Sequence, residues 1–138
     1  MKFELQALDH VAIRSMDVEH SCQWYQKVLG LKRYDIPEWK PYPIFLMSDN
    51  FGVAIFPATD GPAPTANKRR MVRIDHFAFR VSRIGFDAAI AHYESLGLEY
   101  TIQDHTYFHS VYVNDPDGHT VELTTLVVSE EEFKQFGL

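Results

Sequence analysis

The sequence predicts an α+β fold made of two β-α-β-β-β modules, and three observations predict it. First, Leu8-Asp9-His10-Val11-Ala12-Ile13-Arg14 returns as Ile74-Asp75-His76-Phe77-Ala78-Phe79-Arg80, an offset of 66 residues. Second, Leu29-Gly30-Leu31 is echoed by Leu96-Gly97-Leu98 at an offset of 67. Third, each copy runs from an apolar, β-branched stretch into helical spacing and then into short extended segments. Two copies are too few for a solenoid, so the reading is two equivalent modules around a shared core. In that arrangement the two histidines take equivalent places and can converge on one point.

Module one covers about 5–57. Its first strand is expected over 5–14. A helix follows from Ser15 or Asp17, both good N-caps, with Val18, Cys22, Tyr25, Val28 and Leu29 on one stripe. Gly30 stands where a left-handed C-terminal residue belongs. Extended segments are expected near 31–36, 42–48 and 52–56. The connector, about 58–71, carries Gly61, Pro62 and Pro64, which forbid regular structure. Module two, about 72–127, repeats the plan: a strand over 72–81 and a helix after Ser82 with the stripe Phe86, Ile90, Tyr93 and Leu96. Gly97 ends that helix, and strands follow near 98–103, 108–113 and 120–127. Ser129-Glu130-Glu131-Glu132 is a capping-box signal for a C-terminal helix over about 129–136.

The chain has 138 residues, 46% hydrophobic and 23% charged, which is a globular composition for one domain with a sizeable core. A net charge of −6 provides no broad basic surface, so nucleic acid is not an expected partner. Lys68-Arg69-Arg70 is the only basic run and reads as a solvated loop. A single cysteine, Cys22, excludes an internal disulfide and a cysteine-based zinc site. No signal-peptide pattern and no long apolar run are present, so the expectation is a soluble, cytoplasmic protein without a membrane partner.

His10 and His76 carry the chemistry. A lone strand histidine is usually a satisfied core residue, but packing gives no reason to choose the same polar residue in both copies. Glu122, in Thr120-Val121-Glu122-Leu123-Thr124, is the third candidate. A hairpin centred on Asp115-Pro116-Asp117-Gly118 puts it opposite Tyr112 on one face. Two imidazoles and a carboxylate form a facial triad that suits one divalent ion, Fe(II) or Mn(II) first and Ni(II) or Zn(II) as alternatives. Tyr112 is the candidate for hydrogen-bonding a substrate oxygen, with His105 and His109 as acid–base candidates. Strand parity sets His109 off the face of Tyr112 only if the strand is regular.

The doubled plan, the histidine near the start of each module and Asp-Pro-Asp-Gly-His-Thr-Val-Glu-Leu at the end together resemble the vicinal oxygen chelate superfamily. That superfamily is also called glyoxalase/bleomycin resistance protein/dioxygenase. The resemblance runs from about Leu8 to Thr125. It implies a curved mixed sheet around a metal-binding cleft, with His10, His76 and Glu122 as ligands, and a homodimer in which sites are sometimes shared. Glyoxalase I enzymes add a glutamate at the end of module one. Subtracting 67 from Glu122 gives Ile55, and Val53-Ala54-Ile55-Phe56 holds no carboxylate, which speaks against that activity. His105, Val111-Tyr112, Asp115-Pro116, Gly118 and Glu122 nearly reproduce the extradiol dioxygenase signature. Gln103 departs from it. The stretch from Gln103 to Leu126 has no Lys or Arg for the phosphonate that fosfomycin-modifying transferases bind. The resemblance therefore implies an extradiol-type dioxygenase acting on a small molecule with vicinal oxygens. The alternatives are a metal-dependent lyase, isomerase or thiol transferase, or a drug-binding protein without turnover.

Overall fold

A computed structural model of the chain describes residues 3–59 and 73–135. It divides into two compact units, Met1–Thr65 and Ala66–Leu138. The connector beyond residue 59, Lys68-Arg69-Arg70, the expected strand start at Val72 and the expected helix end at Phe136 lie outside the described residues.

In the first unit the elements are β1 (His10–Ser15), α1 (Val18–Leu29), β2 (Lys32–Tyr34), β3 (Ile44–Ser48) and β4 (Phe51–Pro57), with a short 3-10 helix at Pro37–Trp39. The strand order is β1-β4-β3-β2, with β1 parallel to β4 and the other pairs antiparallel. Asp17 caps α1 by accepting from the backbone N–H of His20 at 3.0 Å. Gly30 closes the helix at φ 67°, a backbone region that a Cβ disfavours. The helix packs on β3 and β4. Its buried residues Val18, Cys22, Tyr25 and Val28 form a core with Ile13, Ile44, Leu46, Val53 and Ile55. Because strand side chains alternate, His10, Phe45, Ala54 and Phe56 are left on the opposite face.

The second unit repeats this with β5 (His76–Arg80), α2 (Arg83–Ser95), β6 (Thr101–Asp104), β7 (Phe108–Asn114) and β8 (Thr120–Leu126), in the order β5-β8-β7-β6. Ser82 caps α2 through the N–H of Gly85, and α3 (Glu130–Lys134) is capped by Ser129 through the N–H of Glu132. The expected capping signals therefore act as capping bonds. Phe86 and Tyr93 of α2 are buried, whereas Ile90 and Leu96 of the expected stripe are only half-buried.

One expectation needs correction. The leading strands begin at His10 and His76, not several residues earlier, so both histidines stand at strand starts and stay part-exposed. The reason is where pairing begins: His10 lies against Gly52 and His76 against Thr120, each near the start of its partner strand. The 3-10 turn at Pro37–Trp39 falls between two expected strands. Proline at its first position and the bond from Trp39 N–H to Ile36 C=O at 2.9 Å form it.

Gly52 has a specific steric role. A Cβ there would come within 2.1 Å of the Leu46 carbonyl oxygen. Its N–H donates to the Asp9 carbonyl at 3.0 Å, which pins the backbone just before His10.

Candidate functional site

The Asp115–Gly118 turn sets the register of the last hairpin. Asp115 is buried, and its Oδ1 accepts from the N–H groups of Asp117 and His119, both at 2.9 Å. Gly118 takes φ 88° and donates to the Asp115 carbonyl at 3.0 Å. The strands leaving this turn pair Tyr112 with Glu122, as the sequence predicts, and β8 in turn sets Glu122 beside Ala78 of β5. His76, two residues before Ala78, shares that face. Its Nε2 lies 3.2 Å from Oε2 of Glu122, whose side chain is 7% exposed.

The other ring nitrogen of His76 is held as well. Nδ1 is 2.8 Å from Oδ2 of Asp75. At His10 the arrangement recurs, with Nδ1 2.6 Å from Oδ1 of Asp9. A carboxylate on Nδ1 fixes the tautomer and directs the Nε2 lone pair outward, which is the usual support for a metal-binding imidazole. The Asp75 hydrogen bond is the main reason the His76 imidazole is held above the ordinary histidine range, and Glu122 adds to it. These two aspartates are members of the candidate site that sequence reasoning passed over. Their signal was in plain view, since the repeated phrase is Asp-His and not His alone.

Tyr112 and His105 are also brought together, with His105 Nε2 3.1 Å from the Tyr112 hydroxyl. Burial first, and then hydrogen bonding to Glu122, raise the tyrosine above its ordinary range, so the hydroxyl stays protonated. His109 is placed elsewhere. The strand is regular, so His109 projects from the other face of β7, its ring 6.4 Å from that of Phe86 in α2 and its Nε2 3.6 Å from Asp104. Among the described residues no three His, Cys, Asp or Glu side chains form a group that holds a metal ion. His76 and Glu122 are adjacent in the second unit, and His10 belongs to the first.

The register also corrects which residue corresponds to Glu122 in module one. Ala78 pairs with Glu122, and its counterpart Ala12 pairs with Ala54. The equivalent residue is therefore Ala54, not Ile55, which points to the helix side and is fully buried. The connections of the two modules differ in length, and their net effect sets Ala54 and Glu122 apart by 68 residues, so an offset of 67 is one residue short here. The functional point stands, because alanine is no more a ligand than isoleucine.

Residues 7–123 match the family model described as Glyoxalase/Bleomycin resistance protein/Dioxygenase superfamily. No curated protein matches the chain. Among solved structures, a glyoxalase/dioxygenase from Nostoc punctiforme is similar at 18% identity and a TM-score of 0.72, covering 89% of this chain and 92% of that one. A lactoylglutathione lyase from Agrobacterium tumefaciens is similar at 20% identity and a TM-score of 0.68, covering 97% and 98%. A glyoxalase/bleomycin resistance protein/dioxygenase domain from a Frankia species gives 18% identity and a TM-score of 0.71, covering 95% and 99%. At such identities these likenesses speak for the fold alone. With a matched span of 7–123 and a doubled β-α-β-β-β architecture, the chain belongs to the glyoxalase/bleomycin resistance protein/dioxygenase superfamily.

Proposed function

We propose that the chain is a divalent-metal-dependent enzyme acting on a small substrate through adjacent oxygens, of the extradiol ring-cleaving type. His76 and Glu122 hold the ion, and His10 is the third protein ligand, supplied by the same chain or by a second copy. The observation that carries this reading is the 3.2 Å approach of His76 Nε2 to the Glu122 carboxylate, with Nδ1 already engaged by Asp75. The two side chains thus stand within reach of one small ion, at the positions where the family resemblance expects ligands. A 2+ ion held there with one carboxylate ligand would leave a local charge of about +1, which would stabilise negative charge on a diol oxygen, and as Fe(II) it would supply the electrons O2 chemistry requires.

The chain's own groups supply the rest. The Tyr112 hydroxyl, kept protonated, donates to the substrate oxygen as charge develops there. His105, 3.1 Å from that hydroxyl, can return a proton to it. His109, on the face toward α2, has no part in this scheme. The reaction breaks one ring carbon–carbon bond beside the diol and places both atoms of O2 in the product, so atoms balance without a further reductant. Ala54, in place of a carboxylate, disfavours the four-ligand arrangement of glyoxalase I.

Calorimetric titration of metal-stripped protein with Mn(II) should give one site per chain. With Fe(II) under reducing conditions, at least one member of a catechol panel should consume oxygen and give a yellow ring-opened product. Catechol binding without oxygen uptake would turn the reading to a lyase, isomerase or transferase. Failure of both metals and catechols to bind would leave a sequestering protein.

A further inference from the structure

The first unit contains a pocket of about 400 Å³ whose walls include His10, Trp39, Tyr42, Phe45, Ala54 and Phe56. We propose that it is the recognition subsite for a neutral, planar aromatic portion of the ligand, with Ala54 as the residue that sets its depth. As a statement about substrate class it rests on the function proposed above, but the pocket lies wholly within one unit and its occupancy can be read without any metal.

Shape argues first. The His10 and Phe45 rings lie 5.1 Å apart at 43°, and the Trp39 and Phe45 rings meet edge to face at 5.1 Å and 64°. Tilted rings around a gap offer edges and faces to a flat guest, the arrangement aromatic groups prefer. The volume falls in the lower part of the range for small-molecule sites and suits one or two fused rings.

Charge then narrows the guest. The Arg14 guanidinium, 4.9 Å from the centroid of Phe56, and the carboxylate of Glu38 on the pocket wall are of opposite sign, so the site offers no net charge to either kind of ion. An ionised guest would give up its hydration among aromatic rings without a net countercharge to repay it. A neutral ring remains.

Ala54 supplies the floor. It pairs with Phe45 across the β3–β4 hairpin, as Glu122 pairs with Tyr112 across β7–β8. Had module one kept a glutamate at this position, a carboxylate would stand among the rings. The methyl group leaves an apolar floor beside His10. In this reading one module holds the reacting oxygens and the other holds the carbon skeleton.

The test uses the fluorescence of Trp39 in a Trp24→Phe background, since the chain has two tryptophans. The probe is 2-naphthol added to metal-stripped full-length protein, with 2-naphthoate and 2-naphthylmethylammonium as charged comparators. Saturable quenching or a shift of Trp39 emission by 2-naphthol is expected, with at least about tenfold weaker binding of both charged probes. Ala54→Leu should abolish the response. Since that variant can misfold, Trp39→Leu is the second arm. Trp39 is a surface residue, 41% exposed, and its loss should weaken 2-naphthol binding by calorimetry roughly three- to tenfold. Equal binding of neutral and charged probes, no saturable response, or emission that changes with protein concentration alone would overturn the proposal, the last showing that a second copy covers the pocket. Quenching without metal binding would sink the metalloenzyme reading and leave the subsite standing. One metal site per chain without quenching would do the reverse.

Discussion

Each module has its own four-stranded sheet, and the equivalent faces of the two sheets carry opposite chemistry. In module two, His76, Tyr112 and Glu122 make a polar cluster. In module one, the equivalent residues are His10, Phe45 and Ala54, an imidazole among rings. Even the ring contact is retained, His76 to Tyr112 at 5.8 Å and His10 to Phe45 at 5.1 Å. What the modules share is the Asp-His pair and the strand that carries it. What separates them is one hydroxyl and one carboxylate. The repeat therefore retains the means of presenting an imidazole, while the neighbours that decide its use have diverged.

The sharpest way to break this contrast is to erase the polar half. Glu122→Ala should lower Mn(II) affinity, measured by calorimetry, by more than the roughly 10–100-fold that losing an outer-shell partner costs. Phe45→Tyr, which gives module one the hydroxyl but not the carboxylate, should leave that affinity within about threefold. Next come the shared supports. Asp75→Asn and Asp9→Asn should each weaken Mn(II) binding about 10–100-fold, and similar losses in both would show that the two imidazoles serve one ion. If Asp9→Asn has no effect while Asp75→Asn does, His10 belongs to the aromatic pocket alone.

Gly52→Ala sharpens the comparison through stability, because the counterpart of Gly52 in module two is Thr120 and tolerates a side chain. The Cβ would strike the Leu46 carbonyl, and urea unfolding should show a loss of about 1–3 kcal/mol.

The smallest effect belongs to the helix cores. Tyr93 in α2 is buried with no hydrogen-bond partner for its hydroxyl among the described residues, and burial pushes its pKa up to about 12. Tyr93→Phe removes a desolvated polar atom and should stabilise by up to about 1 kcal/mol. For a group that is charged when deprotonated, a raised folded pKa adds stability at pH below 10 and loses it as pH climbs through 12. The variant should therefore also blunt alkaline unfolding in that window. In α1 of module one, the Cys22 thiol is likewise pushed up by burial, to about 11. It should resist alkylation at pH 8 until the protein unfolds.

Much of this was legible in the residues. Asp17, Ser82 and Ser129 cap helices because short polar side chains satisfy the free N–H groups of a first turn, a purely local effect. The Tyr112–Glu122 pairing followed from a turn whose chemistry fixes the hairpin register. The superfamily was legible from the motifs in combination. Strand starts were not, because pairing depends on a partner far along the chain, and apolar residues such as Leu5 and Leu8 read as strand while standing exposed. The 3-10 turn and the aromatic pocket depend on how Trp39 and Phe45 meet across a loop, which no periodicity encodes. The roles of Asp9 and Asp75 required distances.

The spacing between equivalent residues grows along the repeat: 66 from His10 to His76, 67 from Gly30 to Gly97 and 68 from Ala54 to Glu122. In a helix an error of one residue rotates a side chain by about 100°, leaving it near its true neighbours. In a pleated strand the same error turns it through half a circle, onto the far side of the sheet. Ile55 and Ala54 are adjacent along the chain yet face opposite ways, one into the apolar core and one into the pocket beside His10. For proteins grown by duplication, transferring a ligand or a specificity residue from one half to the other by counting thus fails completely or succeeds completely, with no intermediate, and each inserted loop residue reverses the outcome.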